Sequence, residues 1–253
     1  MPPLTIIAAA IFIVGLIATL VNFRFLMYPL IPSMNPVTHA KRLSLRGSIL
    51  FISDLHLKSD QPFEYAGELR NFIENKNVSN LIINGDLFDS PKDAQEIFHI
   101  SQPNVSLLDV LGLEGLSLDM YWVTGSPHHD PSNLTKSEIE VEGFEALGRC
   151  AFIHCGLCEV MAYHGHDMSL IGAFGHAWDR FASRLSLERL WKRLAKIDKN
   201  VWVVFGHTHI PGLDETNRVA NCGGWQTKPF VHPTRTGVLF SEGKDTPRSV
   251  RIV

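Results

Sequence analysis

Five short segments rich in histidine and aspartate punctuate this chain, and each follows, directly or within a residue or two, a run that reads as a buried strand. They are Ser53-Asp54-Leu55-His56, Asn84-Gly85-Asp86-Leu87-Phe88-Asp89, Gly125-Ser126-Pro127-His128-His129-Asp130, His164-Gly165-His166 and Gly206-His207-Thr208-His209. Seven of the twelve histidines lie inside them. Short apolar runs bounded by turn residues are strand signals, so the chain must fold with five strand ends turned toward one place. Carboxylates and imidazoles held there are the donors two divalent cations need to share one activated water.

Between these segments the texture changes along the chain. Helical spacing marks 62–75, through Tyr65, Leu69, Phe72 and Ile73, and helices are also expected over 92–100, 105–111 and 137–149. After 150 the chain reads mostly as strands, at 152–154, 159–163, 201–205, 236–240 and 249–253. An α/β first half and a β-rich second half imply two sheets packed face to face with helices outside.

At the N-terminus, residues 4–21 carry no charge and are dominated by aliphatic side chains. Eighteen helical positions span about 27 Å, close to the hydrocarbon thickness of a bilayer. No basic residue precedes the run and no small-x-small site follows it, which argues against a cleaved signal peptide. A polar face is also absent, which argues against a core helix. The expectation is a single transmembrane helix with its interfacial exit over 1–31, a linker over 32–47 and a catalytic domain over 48–253. Phe23, Phe25, Tyr28, Pro29 and Pro32 suit that exit. Arg24, Lys41, Arg42 and Arg46 follow the run, which by the positive-inside rule puts the domain in the cytoplasm.

Taken in order, the five segments resemble the motif set D-x-H, G-D-x-x-D, G-N-H-[DE], H-G-H and G-H-x-H of the calcineurin-like metallophosphoesterases, over roughly 45–253. The resemblance implies an α/β fold, a four-layer α/β/β/α sandwich, here preceded by the transmembrane helix. It implies two divalent metal ions, Mn²⁺ first with Fe or Zn²⁺ as alternatives, all three suited to oxygen and imidazole donors. Asp54 and His56 would be ligands of one metal, Asp86 the bridging carboxylate, His164 and His207 ligands of the second metal, and His209 a further ligand of the first. The third segment departs from the pattern, being two residues longer. Aligning its final His-Asp pair makes His129 the catalytic acid and puts His128 where the family has an asparagine ligand. His128 is the expected ligand in preference to Ser126, since imidazole is the stronger donor to Mn or Zn. Asp89 and Asp130 are expected to orient ligands or to serve as turn and cap residues. His166 is expected to contact substrate or the outer side of a ligand.

The chemistry so implied is hydrolysis of a phosphodiester or pyrophosphate by attack of hydroxide held between the metals, with His129 protonating the leaving group. Phosphomonoesterase or cyclic-nucleotide phosphodiesterase activity on a soluble substrate is one alternative, and a non-catalytic membrane scaffold is another. A net charge of −3 offers no global attraction to nucleic acid. Residues 178–199 alternate apolar positions with Arg and Lys at helical spacing, as a lipid-contacting insertion would. Trp178, Phe181, Arg184 and Trp191 are its candidate contacts, and with the N-terminal run they point to an amphiphilic substrate. This insertion and the first and fifth segments are similar to the family's UDP-diacylglucosamine pyrophosphohydrolase branch, although the third segment is not. Four cysteines do not make a disulfide framework, and Cys155-Gly156-Leu157-Cys158 reads as a turn with small buried thiols.

Overall fold

In the run Ile49-Leu50-Phe51-Ile52, the two-residue period of a strand sends Ile49 and Phe51 into one core and Leu50 and Ile52 into another. A strand apolar on both faces belongs at the centre of a covered sheet. The computed structural model places it there and describes residues 23–99, 107–131, 144–168, 178, 182–226 and 232–253. This run is β2 (Ser48–Ile52), in a mixed sheet ordered β12-β11-β2-β3-β4-β5. Its partners are β3 (Val78–Asn84), β4 (Asp119–Val123), β5 (Phe144–Gly148), β11 (Thr236–Phe240) and β12 (Arg248–Arg251). Strands β2 to β5 run parallel.

The second mixed sheet is ordered β1-β6-β7-β8-β10-β9. It contains β1 (Lys41–Ser44), β6 (Cys150–Cys155), β7 (Cys158–Tyr163), β8 (Trp202–Phe205), β9 (Gly212–Asp214) and β10 (Val219–Asn221). The two sheets enclose a core that includes Phe51, Ile82, Val123, Val160, Trp202 and Val204. Outside the first sheet lie α1 (Ala66–Lys76), α2 (Pro91–His99) and α3 (Leu107–Val110), packed over Leu50, Ile52, Leu81 and Ile83. Against the outer face of the second lie α4 (Ser186–Leu194) and the short 3₁₀ turns between 24 and 39. Four layers result.

Several expectations are corrected here. The helix expected over 137–149 ends instead as strand β5, where Phe144 stacks on Trp122 (6.3 Å, 23°) and continues the parallel ladder. The stretch read as a linker, 32–47, contains β1, which pairs with β6 and so belongs to the sandwich. Phe25 and Tyr28, expected at a membrane interface, are buried beside Trp191. Cys155 and Cys158 form a disulfide, because the hairpin turn at Gly156 brings their Cα atoms to 5.4 Å. The transmembrane run at 4–21 lies outside the described residues, among which no helix is long and apolar enough to cross a membrane.

Candidate metal centre

All five segments leave the carboxyl ends of parallel-paired strands, β2, β3 and β4 in one sheet and β7 and β8 in the other. Open α/β sheets present their binding crevices at those ends. Asn84 clasps the two sheets together there, donating from Nδ2 to the carbonyls of Val204 (2.8 Å) and Tyr163 (3.2 Å).

Five of the side chains hang from a left-handed backbone: Asp54 (φ 57°), His56 (48°), Asp86 (47°), His207 (64°) and His209 (55°). Such conformations cost about 1–3 kcal/mol each and persist where neighbours over-determine them. Backbone N–H groups of Asp54 and His56 donate to the carbonyls of Gly85 (3.0 Å) and Asp86 (3.1 Å), and that of His207 donates to Asp54 Oδ2 (3.0 Å). Gly85 (φ 88°) passes so close to the His164 ring that a Cβ would collide with it.

Among the described residues two fully buried ligand triads form, and a third, partly exposed group of His56, Asp89 and His129 adjoins them through His56. The donor atoms of Asp54, His56 and His209 lie within 4.8 Å of one another, as do those of Asp86, His164 and His207. All six residues are buried. His164 joins the triads, its Nε2 lying 3.3 Å from Asp86 Oδ1 and 4.0 Å from Asp54 Oδ1. His164 Nδ1 contacts the Asn84 carbonyl at 2.9 Å. A carbonyl only accepts, so Nδ1 carries a proton and Nε2 is the nitrogen left facing inward. Asp54 Oδ1 and His164 Nε2 are buried without a hydrogen bond. Orphaned oxygen and nitrogen donors facing each other in two adjoining triads fit a pair of divalent cations.

The electrostatics agree. Burial pushes the carboxyls of Asp54 and Asp86 up, but the neighbouring histidines more than offset it and hold both well below the usual carboxylate range. Burial lowers His164 while Asp86 and Asp54 drive it the other way, to about 9. Two carboxylates that recruit a proton onto a buried imidazole would recruit a cation in its place.

The third segment divides differently from expectation. His128 is exposed and belongs to neither triad, so the expected ligand role is corrected: the turn at 127–129 points it to solvent. Nearer the site, the Ser126 N–H donates to Asp86 Oδ1 (2.8 Å). The ring of His129 lies 4.5 Å from that of His56, with its Nε2 3.9 Å from Asp86 Oδ2. Its Nδ1 contacts the Asp89 carbonyl (2.7 Å), which aims Nε2 at the site. Asp89 also stands 3.9 Å from His56 Nδ1. Asp130 is buried and accepts four hydrogen bonds, from the backbone of Leu87, Phe88 and Gly125 and from the Trp122 indole. It thereby ties the third loop to the second. Burial, and Asp86 nearby, push its carboxyl up to about 7. His166 lies in neither triad: its Nε2 accepts from Arg149 (3.1 Å), and burial beside His164 holds it well below the usual imidazole range.

Two contributors escaped the sequence reading. Glu188 reaches from α4 to accept from the Thr208 hydroxyl and from Asn221 Nδ2, both at 3.1 Å. Asn221 Nδ2 also donates to the Gly206 carbonyl (2.9 Å), so the fifth segment is braced from behind. Arg149, directly before β6, is exposed beside His166. An acidic residue set beside the apolar stripe Leu187, Trp191, Leu194 was the available signal for Glu188; none marked Arg149. Among the expected lipid contacts, Trp191 is a core residue stacked on Tyr163 (4.5 Å, 22°), which corrects its assignment. Trp178 and Arg184 are exposed, and Phe181 lies outside the described residues.

Residues 48–242 match the sequence model of the calcineurin-like phosphoesterase superfamily domain. A search of the curated proteins finds no match. Among solved structures, the chain is similar to one described as a novel archaeal phosphodiesterase (15% identity, 80% of this chain and 98% of that one, TM-score 0.48). It is also similar to YfcE, a phosphoesterase from E. coli (13%, 81% and 100%, TM-score 0.42), and to zinc-bound Vps29 from Entamoeba histolytica (15%, 81% and 99%, TM-score 0.42).

Proposed function

The chain belongs to the calcineurin-like phosphoesterase superfamily, and on that footing we propose that it hydrolyses a phosphodiester or pyrophosphate bond of an amphiphilic substrate with two Mn²⁺ ions. The juxtaposition of two buried triads carries this reading, with His164 Nε2 within 4.0 Å of a carboxylate oxygen of each. Asp54, His56 and His209 would hold one ion, and Asp86, His164 and His207 the other. When bound, such a pair would supply an activated water and would neutralise charge on the phosphoryl oxygens. His129, anchored through Nδ1 with Nε2 toward the site, protonates the departing oxygen. Arg149 adds a cation at the rim for phosphoryl oxygens.

Support for the amphiphilic part is separate. In sequence the apolar run at 4–21 lies just before Phe23, and the Phe25 N–H donates to the carbonyl of Asp167 (3.4 Å), one residue after His166. Trp178, its ring 6.0 Å from that of Phe23, is exposed, as are Leu30, Ile31 and Met34. An anchor there would hold the site close to a membrane surface, with the basic residues after the run placing the domain on the cytoplasmic side.

The test is hydrolysis of bis(p-nitrophenyl) phosphate and p-nitrophenyl phosphate by the full-length protein with Mn²⁺, beside Asp86→Ala. Diester cleavage lost in the variant supports the reading. Preference for the monoester shifts it to a phosphatase, and inactivity of the metal-loaded protein with both overturns it.

A further inference from the structure

A cavity of about 320 Å³ opens directly beside His56. Its wall includes His56 and Lys58, then Phe63 and Tyr65 from the segment leading into α1, then Trp225 and Gln226. The three aromatic rings pack as one unit, with centroids 5.8 to 6.1 Å apart. Arg235 covers the Tyr65 ring at 4.4 Å and Trp225 is buried, whereas Phe63 is half-buried. Gln226 Nε2 donates to the His56 carbonyl (3.2 Å), which ties this wall to the metal centre. Lys58 and Gln61 also border a second cavity of about 320 Å³ that runs on toward Asp109. Among the described residues Lys58 has no ion-pair partner.

We infer that this cavity is a subsite for a planar aromatic group, aryl or nucleobase, on the leaving side of the phosphoester. The inference rests on the phosphoesterase reading and names the part of the substrate that reading leaves open. Position argues for the leaving side. The His129 ring lies against His56 at 4.5 Å, and His56 is also a wall of the cavity, so the group that departs beside His129 has this space next to it. Size and chemistry argue for one ring system in place of an acyl chain. The volume is at the low end for ligand sites, and the rim carries Lys58, Gln61, Glu64 and Gln226. A fixed aromatic floor offers stacking or edge contact at no ordering cost, and an unpaired ammonium favours an anionic ligand.

Isothermal titration of the Mn²⁺-loaded full-length protein tests this without turnover. Phenylphosphonate is compared with methylphosphonate, and adenosine monophosphate with ribose 5-phosphate. The aromatic member of at least one pair should bind about tenfold tighter, the pair identifying aryl or nucleoside as the source. Phe63→Leu, which keeps bulk and removes the ring, should abolish that ratio while leaving methylphosphonate affinity unchanged. Equal affinities within both pairs for the unmodified protein would overturn the subsite and leave the phosphoesterase reading standing. Binding of none of the four would overturn both.

Discussion

Glu188, in the first turn of α4, accepts a hydrogen bond at 3.1 Å from the hydroxyl of Thr208, which sits between His207 and His209. The contact joins the outer helix layer to a loop whose two histidines both have positive φ. The same carboxylate oxygen takes the Asn221 amide, so one buried side chain braces the loop from two directions.

Replacing Glu188 with Ala should therefore weaken metal binding by about 10–100-fold, the usual cost of losing a group that orients ligands. Glu188→Gln, which keeps an acceptor oxygen, should retain most of the affinity. Competition with a chromogenic chelator reads both variants. An alanine variant with unchanged affinity would remove Glu188 from the site.

The two histidines of the third segment should separate cleanly. His129→Ala is expected to lower turnover by about 10²–10⁴-fold, the usual worth of a general acid, with two metals still bound. His128→Ala should change neither turnover nor metal content, because His128 is exposed outside both triads. Loss of one metal from His128→Ala, read by elemental analysis, would restore it as a ligand.

Asp130→Asn tests the clasp between the second and third loops. Four donors converge on the Asp130 carboxylate, and an amide NH₂ would have to face one of them, with Gly125 N only 2.6 Å from Oδ2. A buried donor left facing a donor costs about 1–3 kcal/mol. Urea unfolding of the metal-free protein should show that loss, and a midpoint unchanged from the parent would contradict it.

Asp167 supplies a pH dependence. It is buried and accepts from the Tyr163 hydroxyl and the Trp191 indole (3.2 Å), and burial pushes its carboxyl up to about 7 from an ordinary value of 3.8. A raised native pKa means that the folded state holds the proton more tightly than the unfolded state. Its contribution is full below pH 4 and is lost as pH rises through 7, by up to about 1.4 kcal/mol per pH unit. Asp167→Asn keeps an acceptor for both donors and removes the ionisation. The stability of the variant relative to the parent should rise between pH 4 and 7, measured by denaturant unfolding with EDTA present. A constant difference across that range would count against the assignment.

Much of the core site was legible in the chain because each segment is contiguous and joined to an apolar run. Asp54, His56, Asp86, His164, His207 and His209 all fall in the two triads. Less legible were elements whose role depends on what packs against them. Trp191 and Lys192 follow the same helical pattern as a lipid-facing or solvated surface. Yet Trp191 stacks on Tyr163, and Lys192 donates to the carbonyls of Val201 and Asn217, both at 2.7 Å. Periodicity reports that a face is apolar without reporting what covers it.

Read alone, the chain determined which donors lie at which strand ends, and hence the class of chemistry, because ligand type and strand periodicity are local properties of sequence. Tertiary structure decided that His128 faces solvent while His129 faces the site, that residues 144–148 join a sheet, and that Glu188 serves a loop twenty residues away. Each of those depends on backbone direction and on a partner distant in sequence, which spacing within one segment does not encode.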